Sequence, residues 1–508
     1  MNRQKKLLLN TASSLIFQIS TVICGFILPR LIMKSFGSEV NGLVNSISQF
    51  LHIIGFLELG VGAVVQSSLY KPLAEKNSEE TGRIITSANK FFRRIAMILL
   101  GYIFVLLIVY PYVAKSSFDH SYTALLILSI SISYFAQYYF GVVDRLLLTA
   151  DQRGYIQYTA QTVTLILNTA ACFVLIKLGA SIHMVKLTTS CIYLLRPVVL
   201  RWYVNRHYTV NRKAVYTEEP IKQKWNGVAQ HVAAVVLDGT DSIVLTLFAT
   251  LSDVSVYSAY HLVIAGVKQL FLSMTNGFQS LLGELLAKKE SKELEQFFGR
   301  VEWILHTGTV FVFGCTGMLI LPFITVYTKG IGDTEYAQPL FAAILTLAHA
   351  GHCLRLPYNI MILAAGHYKQ TQKCYIVAAV LNIVISVLTV IRFGLIGVAV
   401  GTLVAMVYQT VWMALYNAKN IICWPFGRFL KQILVDTITV GAGVLASVWL
   451  IRDVSNYFAW AVLAVGVAAI WFAVTVFANL VFYRKQLSSV FGSVVRKIKK
   501  LDRKNSKK

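Results

Sequence analysis

Residues 7–69 decide the fold, and they read LLLNTASSLIFQISTVICGFILPRLIMKSFGSEVNGLVNSISQFLHIIGFLELGVGAVVQSSL. The first part, 7–30, is apolar over about 20 positions, the length at which a helix crosses a bilayer. The segment FGSEVNG at 36–42 is polar and contains glycine, as is typical of a turn. Residues 40–69 are then apolar again. The stretch therefore predicts a hairpin of two antiparallel transmembrane helices.

The composition extends this prediction to the whole chain. Its 508 residues are 56% hydrophobic and only 14% charged, whereas about 25% of a soluble protein is charged. The mean hydropathy is +0.62, and apolar runs of about 18 residues or more recur along the sequence. We therefore predict an all-α polytopic membrane protein with about 14 transmembrane helices. Their approximate bounds are 7–30, 40–69, 91–114, 120–144, 155–177, 183–204, 225–249, 254–286, 301–328, 337–364, 370–391, 395–417, 430–451 and 457–482.

The distribution of positive charge predicts the orientation. A net charge of +24 would suggest nucleic-acid binding in a soluble protein. Here 36 of the 47 Lys and Arg residues fall in loops on the side of the N-terminus, and 8 fall on the other side. Because cytoplasmic loops carry the excess of Lys and Arg, both termini are predicted to be cytoplasmic. The basic tail, residues 484–508, is read either as a segment lying on anionic lipid or as a plain topology anchor.

An internal repeat appears at an offset of 214 residues. Asn168 aligns with Asn382, and Glu39 aligns with Asp253 at the start of a second helix in each half. Each half has six predicted spans, so both insert the same way up, as in parallel repeats related by an axis along the membrane normal. The predicted division is a six-helix half at 1–204, a cytoplasmic linker at 205–224, a second half at 225–418, a helix pair at 419–483 and the tail at 484–508.

Three of the 47 Lys and Arg residues belong to neither set of loops and lie inside predicted spans, namely Arg196, Lys268 and Arg355. An unpaired basic side chain at the bilayer centre costs at least about 2.5–3.5 kcal/mol, so each is expected to face a wet cavity or an acid. Arg196 and Arg355 lie next to or near prolines, Pro197 and Pro357, where a helix bends and frees backbone groups.

These residues and several neighbours form the candidate site. Guanidinium groups bind phosphate in a bidentate manner and lysine adds a point charge, so one interpretation is a cationic cavity between the two halves that binds a diphosphate. The other interpretation is a set of internal salt bridges and packing histidines. The candidates are Arg30, Arg196, Lys268 and Arg355 for diphosphate, His261, His349 and His352 for the lumen, and Glu58, Asp238 and Asp241 for a coupling ion.

No metal, cofactor or disulfide is predicted. The seven cysteines form no CxxC pair, and most of them lie inside apolar runs, which is typical of packing thiols. No loop is large enough for a separate domain, and none carries a catalytic constellation. We therefore expect a transporter and not an enzyme.

The opening hairpin, FGSEVNGLVNSISQFLHIIGFLELGVGAVVQSSLYKPLAE at 36–75, resembles that of Wzx-type polysaccharide flippases. These belong to the multidrug/oligosaccharidyl-lipid/polysaccharide exporter superfamily. The segment TADQRGYIQY at 149–158 is similar too, and two six-helix halves with an added pair match the plan of the superfamily. No strict motif of the family can be transferred residue by residue, and Arg30 and acids such as Glu58 or Asp238 match the family's site residues in type only.

The resemblance implies a specific activity. Such a flippase moves undecaprenyl-pyrophosphate-linked oligosaccharide units from the cytoplasmic to the outer leaflet of the bacterial plasma membrane, for capsule or O-antigen synthesis. It implies ion-coupled alternating access with H⁺ or Na⁺, and partners among membrane lipids and the polymerase and glycosyltransferases of the same pathway, with no nucleic acid. The alternatives are a lipid II or teichoic-acid precursor flippase, a drug/cation antiporter of the same superfamily, and a membrane-embedded polymerase or ligase.

Overall fold

The computed structural model describes residues 3–114, 117–221, 228–422 and 425–487, and these ranges contain helices but no β-strand. A π-helical turn, Gln137–Gly141, joins α5 to α6, and a short 3₁₀ turn, Val448–Leu450, follows α16. The α-helices of these ranges are α1 (Arg3–Phe36), α2 (Ser38–His52), α3 (Gly55–Ala74), α4 (Ser78–Val113), α5 (His120–Ala136), α6 (Val142–Ala150), α7 (Gly154–Lys177), α8 (Ile182–His207), α9 (Val228–Phe248), α10 (Leu251–Ala287), α11 (Ser291–Tyr327), α12 (Pro339–Leu354), α13 (Leu356–Ala364), α14 (Tyr368–Phe393), α15 (Leu395–Asn420), α16 (Phe426–Ser447) and α17 (Tyr457–Phe482).

These helices confirm the predicted fold class. Each of the 14 predicted spans corresponds to one helix or to one interrupted helix. Ten segments in the described ranges are long and apolar enough to cross a membrane. The other predicted spans are the α2–α3 pair, α8, α9 and α10, which carry charged residues such as Glu58, Arg196, Asp241 and Lys268.

Two predicted spans are interrupted where the sequence analysis treated them as continuous. The second span breaks at Ile53 and Ile54, between α2 and α3, and the tenth breaks at Arg355, between α12 and α13. Pro357 explains the second break, because proline is tolerated in the first turn of a new helix but not in the interior of one. By contrast, α8 continues through Pro197.

The turns between helices follow the offset of the predicted internal repeat. Residues with left-handed backbone recur at almost the same offset in the two halves: Lys76 (φ 54°) and Lys289 (φ 57°), then Gln152 (φ 59°) and Gly366 (φ 71°). Gly179 (φ 76°) and Gly394 (φ 52°) form a third pair. The aligned Asn168 and Asn382 are both fully buried. Three turns between helices therefore fall at equivalent places in the two predicted halves.

The first compact unit comprises Met1–Leu262, Gly330–Glu335 and Tyr375–Gly401. Within it, α2 packs against the start of α10, its equivalent in the second repeat. Asn41 Nδ2 donates to Ser255 Oγ at 2.8 Å, across a separation of 214 residues. Gly42 permits this approach, because a Cβ at that position would lie 2.6 Å from the carbonyl carbon of Leu251 and closer still to its oxygen.

The second compact unit comprises Val263–Lys329, Tyr336–Cys374 and Thr402–Lys508. In it, α16 and α17 pack on α11 around Trp471, which is fully buried. A Cβ on Gly443 would lie 2.8 Å from the indole of Trp471, and one on Gly314 would lie closer, so two glycines make room for the ring. The indole also donates to Ser447 Oγ at 3.2 Å. The helix pair outside the repeat is thus fixed to α11.

Candidate functional site

A polar cavity of about 580 Å³ lies within the first compact unit. Its walls come from α3, α7, α8 and the α5–α6 segment with its π-helical turn. Single π-helical turns inside α-helices are frequent at functional sites. Here Gln137 and Tyr138 on the turn, and Arg145 one helical turn after it, all line the cavity.

The charged residues that line this cavity are mostly basic. They are Arg145 on α6, Lys186 and Arg196 on α8, and Glu58 on α3. Lys186 is buried, with 9% of its surface exposed. Ionisable side chains inside membrane segments are costly and face a bundle interior or a water-filled cavity. This arrangement of three cations and one carboxylate suits a ligand that carries negative charge.

Arg196 is fixed at the cavity wall by neighbours on α7 and α8. Its Nε donates to Thr164 Oγ1 at 2.7 Å, and its guanidinium lies 3.8 Å from the ring centroid of Tyr193. Stacking on an aromatic face holds a guanidinium in place without neutralising it. Arg196 was predicted from the sequence, and it lies in the cavity as a charged group available to an anion.

Glu58 and Arg145 form an ion pair in the cavity wall. Their side chains are 12% and 25% exposed. The sequence analysis counted Arg145 among the cytoplasmic flanks and Lys186 among the outer loops, and it missed both as cavity residues. Glu58 was predicted to hold a coupling ion, and the structure gives it a basic partner instead. That pairing supports the salt-bridge interpretation for this residue.

Removing one member of this pair should destabilise the protein. We expect Glu58→Gln to lower the free energy of unfolding by about 3–5 kcal/mol, because Arg145 would remain as a largely buried charge without its counter-ion. Thermal unfolding in detergent measures this, and the double variant Glu58→Gln/Arg145→Gln should recover most of the loss. The matched control is Glu79→Gln, whose carboxylate is 76% exposed and pairs with Arg83. An exposed pair contributes about 0–1 kcal/mol, so equal losses in the two single variants would contradict the prediction.

A second basic cluster lies in the second compact unit. Arg355, 5% exposed, donates from Nη2 to His352 Nδ1 at 3.1 Å and from Nη1 to Gln409 Oε1. Its Nε is buried without a hydrogen-bond partner among the described residues. Lys268 and His349 are also buried, and both interact electrostatically with His352. The predicted grouping of His349, His352 and Arg355 is therefore present, with Lys268 near it.

A hydrogen-bonded network of acids in the second unit escaped the sequence analysis. Tyr358 Oη donates to Glu302 Oε1 at 2.6 Å, and His306 Nδ1 lies 2.6 Å from Asp436 Oδ2. Gln432 Nε2 donates to the other oxygen of Asp436 at 3.0 Å. The network joins α11, α13 and α16. Asp436 inside the apolar predicted span 430–451 was the signal that could have revealed it.

The remaining predicted residues are more dispersed. Asp241, 2% exposed, accepts from Tyr257 Oη at 3.1 Å and from Asn382 Nδ2 at 3.4 Å. His261 stacks on Tyr257, with ring centroids 5.4 Å apart. The side chain of Asp238 lies outside the described residues, as does the part of the basic tail after residue 487.

Arg30 is half-buried in α1 and does not line the cavity described above. It belongs to the first unit with Arg196, whereas Lys268 and Arg355 belong to the second. The convergence of these four residues on one vestibule therefore stays a prediction.

The segment TADQRGYIQY at 149–158 has a structural role at the turn between α6 and α7. Asp151 accepts from Lys6 Nζ at 3.1 Å and from Tyr208 Oη at 2.5 Å. Burial and this hydrogen bond raise the pKa of Tyr208, so the phenol remains a donor at neutral pH. Asn10 closes the turn by accepting from the backbone N–H of Tyr155 at 2.7 Å. The motif thus fixes the first helix to α7.

Several solved structures that match this fold are a flippase or transporters. A lipid II flippase, MurJ, in an inward closed conformation matches with a TM-score of 0.68 and 15% identity, over 94% of this chain and 100% of that chain. A multidrug resistance MATE family transporter of the MOP superfamily, inward-facing, matches at 0.60 and 16%, over 78% and 94%. The eukaryotic MATE transporter AtDTX14 matches at 0.59 and 12%, over 86% and 98%. No protein-family model and no curated protein sequence matches the chain.

The fold and the membrane-spanning helices together define the class of protein. The chain is a multi-pass helical membrane protein with the fold shared by the MurJ flippase and the MATE transporters of the MOP superfamily. It combines that fold with buried basic side chains in both compact units.

Proposed function

We propose that the protein is a flippase that moves undecaprenyl-pyrophosphate-linked oligosaccharide units from the cytoplasmic to the outer leaflet for capsule or O-antigen synthesis. It acts in the bacterial plasma membrane, with both termini in the cytoplasm. The observation that carries the proposal is the excess of cations over carboxylates among the charged residues of the membrane-embedded cavity. A cavity of this charge suits a diphosphate and disfavours a cationic drug.

The physical task of such a protein is to carry a charged head through a region that rejects charge. Arg196 would replace water around the diphosphate in the cavity, and Arg30, Lys268 and Arg355 are proposed as further basic groups that the diphosphate meets during transport, while the isoprenoid tail stays in the bilayer. A cell interior that is negative favours export of an anion by about 2.3 kcal/mol per charge per 100 mV. The membrane potential thus biases transport outward, and antiport of H⁺ or Na⁺ adds to the drive.

A lipid II flippase is the second candidate. It is favoured by the match to a lipid II flippase over 94% of this chain. Lipid II also presents a diphosphate to the cavity, so the two candidates differ in the sugar head and not in the charge that must be bound.

Transport in proteoliposomes tests the proposal. The purified full-length protein is reconstituted with a fluorescent undecaprenyl-diphosphate oligosaccharide, with lipid II, or with a cationic dye, and exposure in the far leaflet is followed by a membrane-impermeant quencher. We expect flipping of the oligosaccharide lipid at a rate above that of protein-free vesicles. Flipping of lipid II alone would favour the second candidate, and exchange of the cationic dye alone would overturn both.

Asp241 is proposed as the coupling-ion site. Its buried carboxylate accepts hydrogen bonds from the amide of Asn382 and the phenol of Tyr257. Carboxylate oxygens are ligands that suit a hard cation. We expect Asp241→Asn to reduce ion-driven transport about tenfold, because a charge-assisted interaction contributes about 1.5–3 kcal/mol. The measurement is the initial rate under an imposed Na⁺ or H⁺ gradient. Asp119→Asn, at an exposed position before α5, is the control, and an unchanged gradient dependence in Asp241→Asn would contradict the assignment.

A further inference from the structure

A second polar cavity, of about 380 Å³, lies where α4 and α8 meet the segment that follows α8. We call it the linker pocket. Five of the described residues that line it are basic, namely Lys90, Arg93, Arg201, Arg212 and Lys213, and the described lining includes no acidic residue. The positive-inside distribution places all five on the cytoplasmic side, and none of them lines the larger cavity.

The linker forms one wall of this pocket, and specific contacts hold it against α4. Thr86 Oγ1 on α4 donates to the carbonyl oxygen of Asn211 at 3.4 Å, and a Cβ on Gly82 would lie 2.9 Å from the same oxygen. Further along, Ser87 donates to the carboxylate of Glu219, and Ile221 is buried. The segment that carries Arg212 and Lys213 is therefore docked along α4 at both of its ends.

The charges of the linker pocket are only partly compensated. Asp144, whose side chain is 1% exposed, accepts from Arg212 Nη2 at 2.6 Å and from Arg201 Nη1 at 3.3 Å. Glu219, on the linker, accepts a hydrogen bond from Ser87 of α4. Arg212 Nη1 is buried with no hydrogen-bond partner among the described residues. A buried donor without a protein acceptor is costly, and a bound water or anion at this position would satisfy it.

The two cations that α4 contributes to the pocket, Lys90 and Arg93, face aromatic rings. Lys90 Nζ lies 4.6 Å from the ring centroid of Tyr216, and the guanidinium of Arg93 lies 5.1 Å from that of Tyr139. A cation–π contact orients a cation but leaves its charge uncompensated. The pocket therefore combines two oriented cations, one arginine with a vacant donor and a lysine on the docked linker.

We propose that the linker pocket binds a phosphate-bearing anion from the cytoplasmic side. Arginine matches the geometry of phosphate oxygens bidentately, and lysine adds a point charge. The shared chemistry is that of a phosphate or diphosphate group, which a lipid head group or a soluble anion can supply. The site is separate from the transport cavity, so the proposal does not rest on the substrate proposed above.

Binding to the purified full-length protein tests this site. Sodium pyrophosphate is titrated by calorimetry in detergent, and retention of phosphatidylglycerol against phosphatidylcholine is measured by native mass spectrometry from mixed vesicles. We expect Lys90→Gln/Arg93→Gln to weaken pyrophosphate binding, phosphatidylglycerol retention or both by about tenfold or more. Lys90→Arg/Arg93→Lys, which keeps both charges, should bind within a fewfold of the native protein.

The control is Arg83→Gln, on the same helix but paired with the exposed Glu79 at 2.6 Å. If pyrophosphate binding falls in the double variant, the site binds a soluble anion. If only phosphatidylglycerol retention falls, the site binds a lipid head group. Both outcomes support the site. Equal binding by the double variant and Arg83→Gln, with both folded by thermal unfolding, would overturn it, as would no binding of either probe to the native protein.

Discussion

Replacing Arg355 with alanine should abolish transport while the protein still inserts into the membrane. Arg355 is 5% exposed at the junction of α12 and α13, with one buried donor that has no partner among the described residues. If Arg355 Nε binds the diphosphate, replacing Arg355 with alanine removes a charge-assisted hydrogen bond and one positive charge at the same time. A loss of about 2.7 kcal/mol corresponds to about a hundredfold lower rate. The measurement is flipping in proteoliposomes at matched protein content.

A purely structural role for Arg355 makes a different prediction. Arg355 also contacts His352 and Gln409, so alanine could act by loosening the helix junction. Arg355→Lys keeps the charge and loses the planar guanidinium, whereas Arg355→Met keeps length and loses the charge. We expect Arg355→Lys to transport better than Arg355→Met at equal melting temperature. Normal flipping by Arg355→Ala, or equal rates for the lysine and methionine variants, would remove Arg355 from the substrate site.

Gly42→Val should prevent stable folding. A Cβ at this position would lie 2.6 Å from the carbonyl carbon of Leu251, which is backbone and cannot rotate away. The helices α2 and α10 would have to separate, and the buried hydrogen bond between Asn41 and Ser255 would be lost. Overpacking costs about 1–3 kcal/mol even when side chains can adjust, and we expect more here.

The measurement for Gly42 is the yield of monodisperse protein and its melting temperature in detergent. Gly42→Ala should be intermediate, since it adds one methyl group. Gly101→Ala on α4 is the matched control, because a Cβ there meets nothing within 4 Å. A melting temperature of Gly42→Val equal to that of Gly101→Ala would contradict the close approach of the two helices.

The fold was predictable because its signals are local. Apolar length decides a span, and repetition of the pattern decides the repeat, so the helices around Asn168 and Asn382 were aligned correctly. The break at Ile53 and Ile54 was not predicted, because both residues are apolar and Gly55, which begins α3, is a residue that transmembrane helices tolerate. Pro357 did carry a signal for the break at Arg355, although the sequence analysis expected a bend there and not an interruption.

The candidate site was predictable only in part, because which charged side chains contact one another depends on which helices pack together. Glu58 and Arg196 were among the predicted site residues, and both line the cavity. Arg145 and Lys186 also line it but were counted with the charges at the ends of predicted spans, because their burial comes from packing that no local pattern encodes. The network of Glu302, His306 and Asp436 was missed for the same reason, because it joins α11 to a helix about 130 residues later.

The paired left-handed turns bear on the ancestry of the chain. Gln152 and Gly366 hold the same left-handed backbone geometry with different side chains, whereas the other two pairs keep lysine or glycine in both halves. The turn geometry is therefore preserved even where the residue is not. Duplication of a chain of half this size, working as two identical copies, would leave this pattern. Asn41 and Ser255, 214 positions apart and in direct contact, mark where one copy would have met its twin.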